Sequence, residues 1–243
     1  MRVLSTVPYT IKRLARDYMT MMLLLLLPMV ILTVFSFILP DVPGERGFPI
    51  MEETAMYMIV GFQLFGGAIV MSYIYMDFFT ERRHRIQTLP MNHTLYGYTI
   101  MLLGTILSVL LGVILMVFSQ YALGVNWSHP LWSIVIISLM AILSSIVCLI
   151  FTFTVRNFKI AERLSEVYGL GAFLMAGLFF PMPDHVIIDW FNQYVNPLTI
   201  SYVAIFDYNG VFEQEVIFQV LLLLGYIVVL FAIMLALGRR RMP

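Results

Sequence analysis

The side chains that could carry out chemistry in this 243-residue chain are few, and their spacing fits no enzyme well. Glu52 and Glu53 form a pair of adjacent carboxylates at the head of an apolar run, as a metal-dependent intramembrane hydrolase would need. Such a site also needs ligands that converge on the metal from neighbouring spans. All histidines lie between the apolar runs, at His84, His93, His129 and His185. No metal site and no serine–histidine dyad is therefore predicted, and intramembrane hydrolysis is the least favoured function.

A nucleotide site is not predicted either. A P-loop requires Gly-x4-Gly-Lys followed by Ser or Thr, so that backbone amides and the lysine hold the phosphates. The nearest glycine pair, in Gly44-Glu45-Arg46-Gly47, has neither that spacing nor the lysine. The sequence predicts no cofactor in this chain, and the energy for any transport must come from another subunit.

Polar side chains inside the apolar runs are equally scarce. No Asp, Glu, Lys, Arg or His lies well inside a run, whereas ion-coupled transporters usually place such groups near the bilayer midplane. Gln63 is the most notable polar residue. It could line a translocation path, but a hydrogen bond to a neighbouring helix is the favoured interpretation. The single cysteine, Cys148, is interpreted as a small buried hydrophobic side chain.

The composition places these residues in a membrane protein. Hydrophobic residues make up 61% of the chain and charged residues only 12%, whereas soluble domains contain about 25% charged residues. Long continuous apolar segments satisfy their own backbone in a bilayer only as helices. We therefore predict an all-α polytopic protein with a single transmembrane domain over residues 1–243. Its six transmembrane helices are predicted at residues 18–39, 55–76, 98–121, 131–155, 164–180 and 216–238.

The arginines and lysines predict how these spans are oriented. With six spans, both termini lie on the same side as segments 77–97 and 156–163. That side holds thirteen of the fourteen cations, all except Arg46. The positive-inside rule then places both termini in the cytoplasm and the protein in the plasma membrane. An odd number of spans would scatter the cations across both faces.

Three segments outside the spans have predicted roles. Residues 1–17 place apolar and basic side chains at helical spacing, which predicts an amphipathic helix in the headgroup layer. A loose basic segment that only sets orientation is the alternative. Residues 77–97 are the most polar segment and are broken at Pro90. Residues 181–215 lie outside and are too aromatic for a solvated loop, so they predict short re-entrant or interfacial helices broken at prolines.

Two motifs give this pattern a family resemblance. The segment Glu81-Arg82-Arg83-His84-Arg85-Ile86-Gln87-Thr88-Leu89-Pro90 resembles the coupling segment of ABC-2 type permeases, in which a glutamate and basic residues precede a leucine and a proline. Before the last span, Gly177, Pro181 and Pro183, followed by Asn196-Pro197-Leu198-Thr199, resemble that family's Gly-x3-Pro-x-Pro and Asn-Pro-Leu-Thr signature. The resemblance covers essentially the whole chain.

The resemblance implies a half-transporter. Such permeases pair into twelve-helix dimers, with an identical copy or a paralogue, and recruit two cytoplasmic ATPase subunits that bind ATP and magnesium. The implied ATPase-coupling residues are Glu81, Arg82, Arg83, Arg85, Ile86, Leu89 and Pro90. The implied re-entrant signature is Gly177, Pro181, Pro183, Asn196 and Pro197.

The direction of transport and the class of substrate are predicted from the external segments and from the family's known substrates. The short external segments leave little room for a domain that captures substrate, which favours export from the cytoplasm or the inner leaflet. The expected substrate is a hydrophobic or amphipathic drug, an antimicrobial peptide or a lipid-like molecule, with antibiotic or peptide resistance as the role. No nucleic-acid partner is predicted. A non-transporting membrane immunity or sensor subunit is the alternative from a different class.

Overall fold

The computed structural model describes residues 6–39, 49–88, 92–178, 183 and 185–241. Within these residues the chain forms ten α-helices. In chain order they are α1 (Val7–Leu14), α2 (Tyr18–Ile38), α3 (Ile50–Phe78), α4 (Arg82–Gln87), α5 (His93–Leu123), α6 (Pro130–Thr154), α7 (Phe158–Met175), α8 (Val186–Tyr194), α9 (Pro197–Phe206) and α10 (Gln214–Arg241). The predicted all-α fold class is confirmed.

Five of the described helices, α2, α3, α5, α6 and α10, are long and apolar enough to cross a membrane. They coincide with five of the six predicted spans. The remaining predicted span, residues 164–180, corresponds to α7, which begins earlier and so includes four charged residues in its first half. These are Lys159, Glu162, Arg163 and Glu166. Because α7 has only 18 residues, these charges leave it without the long uncharged stretch that the other long helices contain, and its crossing of the membrane stays a prediction.

Helix α3 lies at the centre of the bundle. In its most apolar stretch 72% of the residues are buried, against 17% in α2 and 11% in α10. It packs against α2, α5, α6, α7 and α9. An apolar helix without a polar face can be surrounded in this way, whereas α2 and α10 lie at the periphery.

Small residues bring α3 and α6 into close contact. At Gly67 a Cβ atom would overlap the carbonyl oxygen of Ser144 and lie 2.6 Å from its carbonyl carbon, so only glycine fits. The Gly67 N–H donates to Ser144 Oγ at 3.0 Å, and that hydroxyl donates to the Leu64 carbonyl at 2.6 Å. Close backbone approach and such hydrogen bonds hold helices together where lipid removes the hydrophobic driving force.

The two ends of the bundle differ in charge. At one end, which we call the cationic end, Arg241 donates to the Thr154 carbonyl at 2.9 Å, and α1, α4 and the start of α7 lie nearby. The other end, which we call the acidic end, holds Glu52, Asp189, Asp207 and Glu215. There the start of α6 meets the chain after α9, and Trp132 stacks on Tyr208 at 4.8 Å between ring centroids. Among the described residues, every Lys and Arg belongs to the cationic end or to the first half of α7. The separation agrees with the predicted orientation, which itself stays a prediction.

Two short helices, α8 and α9, close the acidic end. Each begins at a side-chain cap: His185 Nδ1 accepts from the Ile187 N–H at 3.2 Å, and Asn196 Oδ1 accepts from the Leu198 N–H at 3.1 Å. The indole of Trp132 in α6 donates to a carbonyl of α9 at 2.8 Å. Both helices lie in the predicted external segment 181–215, and their re-entrant placement in a bilayer stays a prediction.

Candidate functional site

A buried ionic cluster joins three helices at the cationic end. Asp77, in the last turn of α3, is only 1% exposed. Its Oδ2 accepts a hydrogen bond from Arg13 Nη1 of α1 at 2.7 Å and another from the Tyr96 hydroxyl of α5 at 3.0 Å. A buried carboxylate needs such partners, because an unpaired charge away from water is very costly. We call Arg13, Tyr73, Asp77 and Tyr96 the Asp77 cluster.

Arg13 is held in this cluster by its partner Tyr73 as well. Its guanidinium carbon lies 4.5 Å from the centroid of the Tyr73 ring, and the Tyr73 hydroxyl donates to the Arg13 carbonyl at 3.2 Å. Burial alone would lower the pKa of Arg13, but the hydrogen bond to Asp77 and the negative charge of Asp77 outweigh it, so the pKa lies above its ordinary value. Arg13 therefore stays charged, and α1 is attached to α3 through both side chain and backbone.

The predicted coupling segment forms the short helix α4, which lies next to this cluster. The Nη1 atom of Arg82 is 4.0 Å from Asp77 Oδ1. At the other end of α4, His93 Nε2 of α5 lies within hydrogen-bond distance, 3.1 Å, of the Ile86 carbonyl. The Ile86 side chain packs against the apolar core around α3 and α5. Helix α4 is thus connected to α3, to α5 and, through Arg82, to the Asp77 cluster.

Of the five predicted coupling residues that the structure describes, three are open to solvent. The exposed ones are Glu81, Arg82 and Arg85, and Arg83 is half-buried. Leu89 and Pro90 lie outside the described residues. The described part of the segment therefore packs the half-buried Ile86 against the bundle and presents a charged face that a soluble protein can contact.

Gln63 lies in the middle of α3 and is buried. Its Oε1 accepts a hydrogen bond from Ser108 Oγ of α5 at 3.0 Å. Gly112 of α5 lies against the amide group, and a Cβ atom there would overlap the Gln63 side chain. Gln63 forms the helix-to-helix hydrogen bond that was the favoured interpretation, and its part in a translocation path stays a prediction.

Asn196 joins three helices at the acidic end. It is fully buried, and its Nδ2 donates to the Ala172 carbonyl of α7 at 2.9 Å and to Asn192 Oδ1 of α8 at 3.1 Å. Its own oxygen caps α9. Asn192 in turn donates to the Met175 carbonyl at 2.6 Å. We call Asn192 and Asn196 the asparagine junction; it fixes α8 and α9 onto the end of α7.

The other residues of the predicted re-entrant signature have simpler roles. Gly177 follows the end of α7 with a φ of 75°, the left-handed conformation with which helices often terminate. Pro197 is the first residue of α9, where its missing N–H leaves no helical hydrogen bond unmade. Pro183 is exposed, and Pro181 lies outside the described residues.

Replacing Asn196 by serine tests the asparagine junction. Serine caps a helix about as well as asparagine, so the variant keeps the cap of α9 and loses the donated bonds to α7 and α8. We expect the free energy of unfolding to fall by about 1–2 kcal/mol, measured by SDS titration in mixed micelles. Asn157→Ser is the matched control, since Asn157 is exposed and caps α7 by accepting from Lys159 N–H. Equal losses in both variants would contradict the junction.

The sequence had assigned Asp77 only to the polar segment 77–97, and the roles of Arg13 and Tyr96 were not predicted. The available signal was a lone carboxylate in the last turn of an apolar helix, one turn after Tyr73. Its partners are far away in the chain, at separations of 64 and 19 residues. Spacing along the sequence could therefore not bring them together.

Comparison with known proteins agrees with these motifs. A family model described as ABC-2 type transporter matches residues 3–209. The matched range contains the Asp77 cluster, the coupling helix α4 and the asparagine junction. No curated protein matches the chain.

Proposed function

Because the chain belongs to the ABC-2 type transporter family, and is therefore a membrane subunit of an ABC transporter, we propose that it exports a hydrophobic or amphipathic substrate. The energy comes from ATP hydrolysed, with magnesium, in separate cytoplasmic ATPase subunits. A second permease, identical or paralogous, completes the membrane part. The expected substrates are a drug, an antimicrobial peptide or a lipid-like molecule.

The observation that carries the proposal is the exposed helix α4 and its connections to the bundle. An ATPase that displaces α4 acts on α3 through the chain and on α5 through the contact between His93 and the Ile86 carbonyl. Since Asp77 binds Arg13 and Tyr96, helix α1 and the start of α5 move with the end of α3. Movement of α4 thus becomes movement of a connected group of helices rather than of one loop.

The direction of export is supported by the charge difference between the two ends. The positive-inside rule assigns the cationic end, with α4, to the cytoplasm, where ATP is available. The acidic end then faces outward, and the described external segments are short: residues 124–129 between α5 and α6, and the helices α8 and α9 with their connections. They favour release of a substrate over capture by a dedicated domain.

Reversing the charge of the coupling helix tests this function. In the variant Arg83→Glu plus Arg85→Glu, the permease keeps its buried contacts but presents two negative charges to the ATPase. We expect at least about tenfold less ATPase to co-purify after gentle solubilisation. Efflux of substrate from cells should fall in parallel.

The matched control is Arg156→Glu plus Arg240→Glu. Both residues are exposed at the cationic end, so the change in net charge is the same while α4 is untouched. ATPase retention and efflux should stay near those of the unmodified protein. Unaltered export in the α4 variant would contradict the coupling role, and failure to co-purify any ATPase with the unmodified protein would favour the immunity or sensor alternative.

A further inference from the structure

A cavity of about 640 Å³ opens at the acidic end, between α8, α9 and α10. Its volume lies within the range of about 300–1,000 Å³ that is typical of small-molecule sites. Asn192 of the asparagine junction is part of its wall, so one side of the cavity is fixed by hydrogen bonds to α7. The cavity lies at the opposite end of the bundle from the Asp77 cluster and is unrelated to the coupling residues.

The wall of the cavity carries three carboxylates, one from each of its sides. Asp189 lies on α8, Asp207 follows α9, and Glu215 lies in the first turn of α10. Among the described residues of the acidic end there is no Lys or Arg to neutralise Asp189 and Glu215. Several negative charges around a concave surface focus a negative potential there and raise the local concentration of cations.

Besides the carboxylates, the wall contains two buried polar atoms that can accept hydrogen bonds from a ligand. Gln219 of α10 is only 8% exposed, and within the described part of the chain its Oε1 has no hydrogen-bond partner. The same is true of Thr199 Oγ1 on α9. Buried polar groups are nearly always satisfied, and both of these residues line the cavity. An amide oxygen and a hydroxyl that lack partners at a cavity wall are suited to a ligand that donates hydrogen bonds.

Apolar side chains form another part of the wall, beside the polar Gln193 and Gln214, and they suit an organic ligand better than a metal ion. Ile200, Val203 and Phe218 contribute to it. Within the described residues, no three side chains of His, Cys, Asp or Glu are close enough together to hold a metal ion. The carboxylates surround the cavity instead of converging on one point.

We propose that this cavity is a binding site for an amphipathic organic cation, a molecule with an ammonium group on an apolar body. The ammonium group lies near Asp189 and Glu215 and donates hydrogen bonds to Gln219 and Thr199, while the apolar body contacts Phe218. Such binding needs neither ATP nor the ATPase, and it does not depend on the direction of transport. It therefore stands or falls separately from the proposed export function.

The experiment uses dansylcadaverine, a fluorescent primary amine with an aromatic body. The full-length protein in nanodiscs of zwitterionic lipid is titrated with this probe, and empty nanodiscs give the background from partitioning into lipid. We expect saturable binding that is about tenfold weaker in Asp189→Asn plus Glu215→Gln. Both carboxylates are exposed, so the variant should keep its unfolding temperature. Gln219→Leu, which keeps the size of the side chain but removes the amide, should also weaken binding several-fold.

Two controls separate this site from general attraction of cations or of apolar molecules. Glu213→Gln removes a neighbouring exposed carboxylate that does not line the cavity, and it should change the Kd by no more than about twofold. The neutral N-acetylated probe should bind at least about tenfold more weakly than the amine. Equal binding by the double variant and the unmodified protein, equal binding of the neutral probe, or displacement of the probe by micromolar calcium would each overturn the proposal.

Discussion

Asp77→Ala is expected to lower the free energy of unfolding by about 3–4 kcal/mol, measured by SDS titration in mixed micelles. The substitution leaves Arg13 without its counter-charge and the Tyr96 hydroxyl without its acceptor in a buried place. Arg13 retains 30% side-chain exposure, which keeps the loss from being larger. Because Arg13 of α1 and Tyr96 of α5 are no longer joined to the end of α3 through Asp77, ATP hydrolysis by the complex should also cease to respond to substrate.

An exposed ion pair of similar geometry is the matched control for Asp77. Arg163 and Glu166 are 2.6 Å apart on the surface of α7, and Glu166→Ala should cost no more than about 1 kcal/mol. The double variant Arg13→Met plus Asp77→Leu separates stability from coupling, because removing both buried charges together restores much of the lost stability. It should remain uncoupled. A loss for Asp77→Ala no larger than that for Glu166→Ala would contradict the cluster.

Gly67→Ala is expected to destabilise the bundle by about 2–3 kcal/mol. The new methyl group overlaps the backbone carbonyl of Ser144, and a backbone in the middle of a packed helix cannot move away cheaply. Helices α3 and α6 must separate, which also stretches the hydrogen bonds between Gly67, Ser144 and Leu64. The expected result is a lower yield of folded protein and a lower unfolding temperature in detergent.

Gly225→Ala on α10 is the control for this substitution. A Cβ atom at Gly225 meets nothing within 4 Å, so the alanine adds no overlap and is expected to be neutral or slightly stabilising. Similar destabilisation by the two variants would show that the loss of glycine itself is the cause. The overlap of the new methyl group where α3 approaches α6 would then not explain the effect.

The helices could be predicted from the sequence because each depends on local composition. The span predicted at 18–39 corresponds to α2, and the one at 131–155 corresponds to α6. The bounds of the polar segment predicted at 77–97 are less accurate. Its first residues belong to α3, its last residues belong to α5, and only α4 lies between these two helices. Charged residues can continue a helix beyond the apolar run, so hydropathy locates the membrane core better than it locates helix ends.

The contacts of the candidate site could not be predicted in the same way. The local sequence marks Asp77 only as a lone carboxylate at the end of an apolar helix and does not predict its contacts. Only the approach of α1 and α5 makes Asp77 a buried ion-pair partner, whereas Glu81, one turn later, is exposed. The acid-lined cavity is a similar case. From the sequence, Asp189, Asp207 and Glu215 are only members of the predicted external segment 181–215, and the folding of α8 and α9 against α10 brings them around one space. In contrast, Asn196 could be singled out, because the asparagine–proline pair is itself a local helix-start signal.

Trp132, which stacks on Tyr208, lies at the same end of the bundle as the other tryptophans, and this placement has a practical consequence for spectroscopy. The chain has three tryptophans, and all of them lie at the acidic end: Trp127 is buried, Trp132 is half-buried against α9, and Trp190 is exposed on α8 beside Asp189. Intrinsic fluorescence excited near 295 nm therefore comes from this end alone. Rearrangements of α8 and α9 can be followed in the unlabelled protein by emission wavelength and by collisional quenching of Trp190, whereas the Asp77 cluster, with tyrosines only, remains optically silent.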